Sequence, residues 1–149
     1  MKTLKPFLLS LVFIFACTTL YSQDEHRVTL KCNVAALKAG NPAYQVCQFV
    51  NQEPGTDTRD YTTYAEVGDT IIWDGESSDG TAAIDIKKIK RAKGTDVFNG
   101  KNPEGDTTVV AEIEEKTNGK PYKYKISFKI DNTGTMYSID PKIIVGGGQ

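Results

Sequence analysis

The sequence predicts an all-β fold, a single antiparallel or mixed β-sandwich, and three observations carry that prediction. Beyond residue 22 the chain is poor in leucine and rich in threonine, isoleucine, valine and tyrosine, with glycine and aspartate recurring as turn formers. Residues 120–131 alternate strictly: Tyr122, Tyr124, Ile126, Phe128 and Ile130 fall on one face, and Lys123, Lys125, Ser127 and Lys129 on the other. Residues 67–75 (VGDTIIWDG) lead a Gly68-Asp69 turn into a β-branched run ending on the only tryptophan, Trp73. No segment sustains a 3.6-residue period beyond two turns.

The amino-terminal residues have the order of a secretory signal peptide, with Lys2 and Lys5 ahead of the apolar run 7–16 and small residues after it. That run is too short for a permanent bilayer anchor. Cleavage after Ser22 is expected, giving a signal peptide over 1–22 and one β-sandwich domain over 23–149 with Gln23 at its start. A second reading makes residues 14–17 a lipobox and Cys17 the lipid-bearing first residue, but Phe15 fits that box poorly.

Export places the remaining cysteines, Cys32 and Cys47, in an oxidising compartment, periplasmic or extracellular. Residues 28–34 read as a first strand, 39–43 as a turn and 44–50 as a second extended piece, so a hairpin would set the two cysteines opposite each other as a disulfide. Residues 51–60, with Pro54-Gly55, form a polar loop. Residues 61–66 lead into the strand Thr70, Ile71, Ile72 and Trp73, which Asp74-Gly75 should stop. Trp73 itself is a packing anchor before it is a ligand-stacking residue.

Residues 74–80 hold Asp74, Glu76 and Asp79, which suggests a calcium loop, but the alternating ligand spacing fails after Glu76 and a surface turn accounts for them. In residues 83–93, Ile84 and Ile86 alternate and Ile89 breaks the phase, predicting a bulge. Around them stand Lys87, Lys88, Lys90, Arg91 and Lys93, the first four a candidate binding surface and the whole run a local positive charge for an acidic glycan, a lipid head group or a partner protein. A solvated edge using lysines against sheet-to-sheet aggregation explains the same run more simply. Turns at 98–100 and 102–105 precede a strand at 107–113. A turn at 132–134, a short extended piece at 137–139 and a strand at 142–145 complete the series.

With the strands placed, the chain resembles the cupredoxin-like β-sandwich, and immunoglobulin-like Greek keys share the same alternation. VGDTIIW from Val67 is similar to that family's Gly-Asp-hydrophobic-Trp strand, residues 103–113 to its Pro-Gly-led strand, 122–130 to its paired-aromatic strand, and 141–145 to its closing strand. The resemblance implies the fold and not the copper chemistry. A blue-copper site needs two histidines and a cysteine, whereas the one histidine, His26, lies outside the matching region and the segment after Tyr124 offers only Met136. No metal or other cofactor is expected, and His26 with a free amino terminus would make only an adventitious copper site.

A formal net charge of -1 argues against a dedicated nucleic-acid binder. The leading expectation is an exported, non-catalytic binding or interaction module for a protein or glycan partner, with no stable membrane span. The alternative is an envelope enzyme using loop carboxylates, and an electron-transfer protein ranks below both. Mass spectrometry of the exported protein is expected to show a chain beginning at Gln23. A lipid-modified mass beginning at Cys17 would overturn the cleavage site.

Overall fold

The computed structural model describes residues 22–146, so the signal-peptide reading and Cys17 lie outside the described residues. The strands are β1 (Glu25–Cys32), β2 (Cys47–Phe49), β3 (Thr62–Ala65), β4 (Thr70–Ser77), β5 (Ile84–Lys93), β6 (Val109–Glu112), β7 (Tyr122–Ile130), β8 (Thr133–Ile139) and β9 (Lys142–Val145). Two short helices, α1 (Val34–Lys38) and α2 (Ala43–Val46), and a 3-10 turn at Thr58–Asp60 complete the order. The fold is all-β, with two mixed sheets. One sheet runs β2-β1-β4-β6; the other runs β3-β9-β7-β5, with β8 also paired to β7. Both are mixed because β1 runs parallel to β4 and β3 runs parallel to β9.

The strand alternation sets what lies between the sheets. Tyr122, Tyr124, Ile126 and Phe128 of β7 are fully buried and meet Trp73 and Ile71 of β4, which are equally inaccessible. Apolar burial on this scale drives the fold. The bulge foreseen in β5 is present as a register shift between Ile86 and Lys88, and it returns Ile89 to the core face beside Ile84 and Ile86.

The first connection differs from the expected hairpin. Helix α1 stands ahead of the expected turn, which is present at residues 39–40, α2 takes the end of that turn and the start of the expected extended piece, and β2 keeps only Cys47–Phe49. Asn33 caps α1, its side-chain oxygen accepting from the Ala36 amide at 3.0 Å, while Val34 and Leu37 bury one helical face. Five residues carry a single apolar i, i+3 pair, too little to register as a period. Cys32 and Cys47 are nevertheless direct partners in the β1–β2 ladder, with Cα atoms 4.1 Å apart and sulfurs at disulfide distance, 2.13 Å.

Nor does β4 stop at Asp74-Gly75; it continues to Ser77, paired with β1 throughout. Gly75 marks a close approach rather than an end: a Cβ there would lie 2.5 Å from Ile84 Cγ2 and 2.6 Å from the Ile84 carbonyl oxygen. The turn expected at 132–134 sits one residue earlier, because Asp131 and Asn132 both adopt positive φ (49° and 56°) and join Ile130 directly to Thr133. Of the expected strand at 107–113, only Val109–Glu112 pairs with β4.

Replacing Gly75 by alanine is expected to lower unfolding stability by about 1–3 kcal/mol, the usual range for overpacking, as measured by denaturant titration. An unchanged midpoint would mean that β4 and β5 do not meet at Gly75.

Candidate binding surface

Alternation in β5 and β7 delivers one face to the core and the other to water, so every inward aromatic on β7 fixes an outward lysine beside it. Register then groups those lysines. Lys90 lies opposite Lys125, and Lys93 opposite Lys123. On the other side of β7, Lys123 lies opposite Lys142. Directly opposed residues share a face with Cβ atoms about 4.5–5.5 Å apart, and like charges so placed are destabilising. Lys90, Lys93, Lys123 and Lys125 are exposed, and none of them pairs with a carboxylate among the described residues.

The residues singled out from sequence divide accordingly. Lys87 and Lys88 are partly covered and locally engaged. Lys87 Nζ donates to the Asp106 carbonyl at 2.5 Å, and Lys88 pairs with Glu104. Arg91 turns back along the chain, its Nε donating to the Gly94 carbonyl at 3.0 Å. Of that basic run, only Lys90 and Lys93 join the unneutralised array. Sequence reasoning missed Lys123, Lys125 and Lys142, which are distant from them in the chain. The visible signal was the alternation of β7; the missing information was its register against β5 and β9.

Edge protection accounts poorly for this array, because the β5 edge is covered where the bulge lies. The Ile89 amide donates to the Pro103 carbonyl at 2.8 Å, the Gly105 amide to Lys87 at 3.1 Å and the Ile86 amide to Thr107 at 3.0 Å. The lysines project from the sheet face and not along that edge.

The outer face of the other sheet is different. Arg27 pairs with Asp74 and lies near Glu25, while Lys31 Nζ lies 3.1 Å from Glu76. Two of the three carboxylates of the imagined calcium loop are thereby committed to β1. The third, Asp79, accepts from the Thr81 amide and hydroxyl at 3.1 and 2.8 Å, and those bonds lower its pKa. A groove of about 530 Å³ opens beside α2 and β2, lined by Asn33, Gln45, Gln48 and Glu76 among others. Its carboxylate is the one already held by Lys31.

His26 is also engaged: its Nε2 lies 2.8 Å from Asp69 Oδ2. Burial opposes ionisation of Asp69, but the Glu66 amide, His26 and the Asp24 amide outweigh it and hold the carboxyl below its usual range. Met136 stands exposed on β8. No three histidine, cysteine, aspartate or glutamate side chains converge as a metal would require among the described residues. No helix among them is long and apolar enough to cross a membrane.

Residues 29–136 match the family described as Domain of unknown function (DUF8788). No curated protein matches the sequence. Among solved structures, the chain is similar to the inclusion body protein PixA from Burkholderia cenocepacia J2315, with 11% identity and a TM-score of 0.65. The alignment covers 86% of this chain and 99% of that one. At that identity the likeness shows a shared fold and nothing of function.

Replacing Lys125 by glutamate exchanges a repulsion with Lys90 for an attraction. It is expected to raise stability by about 0.2–1 kcal/mol, measured by thermal unfolding at low salt. The gain should shrink in concentrated salt as the charges are screened. A destabilised variant would show that the two lysines do not face each other.

Proposed function

Since the chain belongs to the Domain of unknown function (DUF8788) family, we propose its function from its own geometry: it is an exported, non-catalytic binding module that contacts an anionic partner through the outer face of the β5–β7 ladder. The observation that carries this reading is the pair of directly opposed lysine couples, Lys90–Lys125 and Lys93–Lys123. They cost the free protein stability, and an anion laid across them removes that cost. The overall charge of -1 makes the face a local excess and not a consequence of a basic chain.

A non-catalytic role is supported by the state of the loop and strand carboxylates. Asp57, Asp60, Asp74, Glu76, Glu104 and Glu114 each pair with a cation, which commits these side chains to structural contacts. The cupredoxin-like reading of the sandwich is supported by its mixed sheets, since immunoglobulin-like sheets are antiparallel. Within that reading β7 is the aromatic strand, and it carries lysines outward.

Titrating the labelled protein with polyphosphate, a generic polyanion, is expected to move amide resonances along β5 and β7 and to leave those of β1 and β2 in place. Shifts clustered at Asn33 and Gln48, or no shifts at all, would overturn the assignment of the surface.

A further inference from the structure

The lysine row crosses three strands of the five-stranded sheet and ends on a fourth at Thr62. Thr62 of β3 is opposite Lys142 of β9, Lys142 is opposite Lys123 of β7, and Lys123 is opposite Lys93 of β5. Three steps between neighbouring strands make this row about 14 Å long. In the adjoining row Tyr64 of β3 lies opposite Ile144 of β9. Two residues along from Thr62 and Lys142, this pair shares their face. Tyr64 is 51% exposed, a large aromatic side chain left in water beside the β3 end of the cationic row.

We infer that this face binds an acidic polysaccharide, with one sugar ring seated on Tyr64 and the acidic groups of the following units running over Lys123, Lys93, Lys125 and Lys90. The inference rests on the lysine-face reading above and adds the class of ligand. A pyranose presents an apolar C–H face and a polar rim, and an exposed tyrosine presents an apolar ring with a polar tip, so the two match in kind. Lys142, in the row beside Tyr64, is already held by Asp60 at 2.8 Å. Free positive charge therefore begins one strand further on, at Lys123. A ligand matching this order places a sugar surface first and its charges after it.

Other polyanions fit less well. Single-stranded nucleic acid is held by successive aromatic platforms, whereas a single tyrosine stands at one end of this array. Duplex readers insert a helix or ribbon into a groove and favour arginine for base edges, and the rows here consist of lysines on an open sheet. Attachment to an anionic membrane draws on large apolar side chains interleaved with the basic ones, and the exposed apolar residue between the Lys90–Lys125 and Lys93–Lys123 couples is the small Ala92.

The experiment compares polygalacturonate oligomers, duplex DNA and phosphatidylglycerol vesicles as ligands of the purified exported protein. The variants are Tyr64→Ala and the double change Lys93→Ser with Lys123→Ser. All three positions lie at exposed side chains, and retained melting temperatures establish that the variants fold. Polygalacturonate is expected to bind most tightly, and more weakly as salt rises. Tyr64→Ala should weaken it about three- to tenfold, the share of one aromatic contact, while leaving any DNA binding unchanged. The lysine variant should lose both. Equal or tighter binding of DNA or vesicles, or a Tyr64→Ala protein of unchanged affinity, overturns the polysaccharide assignment while leaving the lysine face in place. Binding that survives the lysine variant, or no binding to any of the three anions, overturns the lysine face itself.

Discussion

The two sheets depend on the contact between Trp73 and Tyr124. Both side chains are fully buried, their rings meet edge to face with centroids 5.9 Å apart, and the indole Nε1–H donates to the Tyr124 hydroxyl at 3.1 Å. An indole N–H buried without a partner would carry a desolvation penalty of about 1–3 kcal/mol. Tyr124 meets that need from the opposite sheet, so the bond fixes the sheets in register as well as in contact. Phe98 and Tyr122 extend the cluster, each edge-on to a neighbour. Burial pushes the Tyr124 hydroxyl well above its ordinary pKa, which keeps it neutral.

That core contact also determines the outer surface. A strand that must present Tyr122 and Tyr124 inward has no freedom in where it presents Lys123 and Lys125, because a one-residue slip would bury the lysines. The β5 bulge has the same double effect. It brings Ile89 back to the core, and it sets Lys88 opposite Ser127 and Lys90 opposite Lys125. The positions of the cations are therefore held by apolar packing on the far side of the sheet.

The faces of β7 were legible in the sequence because alternation is a local property, and Trp73 announced itself as the largest apolar side chain. The paired cysteines were legible for a different reason: the expectation of export singled out two candidates, and the chain between them is short. Helix α1 was not, since five residues offer one apolar pair, and Asn33 acts as a cap only once Val34 and Leu37 have something to bury against. The continuation of β4 past Gly75 was hidden because glycine reads as a stop until the crossing strand at Ile84 shows why a side chain is excluded. The lysine array lay in the same category. Lys87, Lys88, Lys90, Arg91 and Lys93 stand together in the chain but separate in the fold, while Lys123, Lys125 and Lys142 lie far from them in the chain and join Lys90 and Lys93 only through strand register.

The contrast between the two outer faces carries the argument furthest. On β1 and β4 the sheet places Arg27 beside Asp74 and Lys31 beside Glu76, so each cation meets an anion across the ladder. On β5 and β7 the antiparallel ladder opposes lysine to lysine twice. Solubility alone asks for charge of either sign, and alternating signs would supply it without the repulsion. Lysine is a point charge on a flexible stem, and a row of such groups adapts to anions of varied spacing. A surface built this way confers attraction with little selectivity, so discrimination among anions has to come from a rigid, uncharged neighbour on the same face. Tyr64, exposed beside the row and fixed by its place on β3, is the side chain with the shape to supply it.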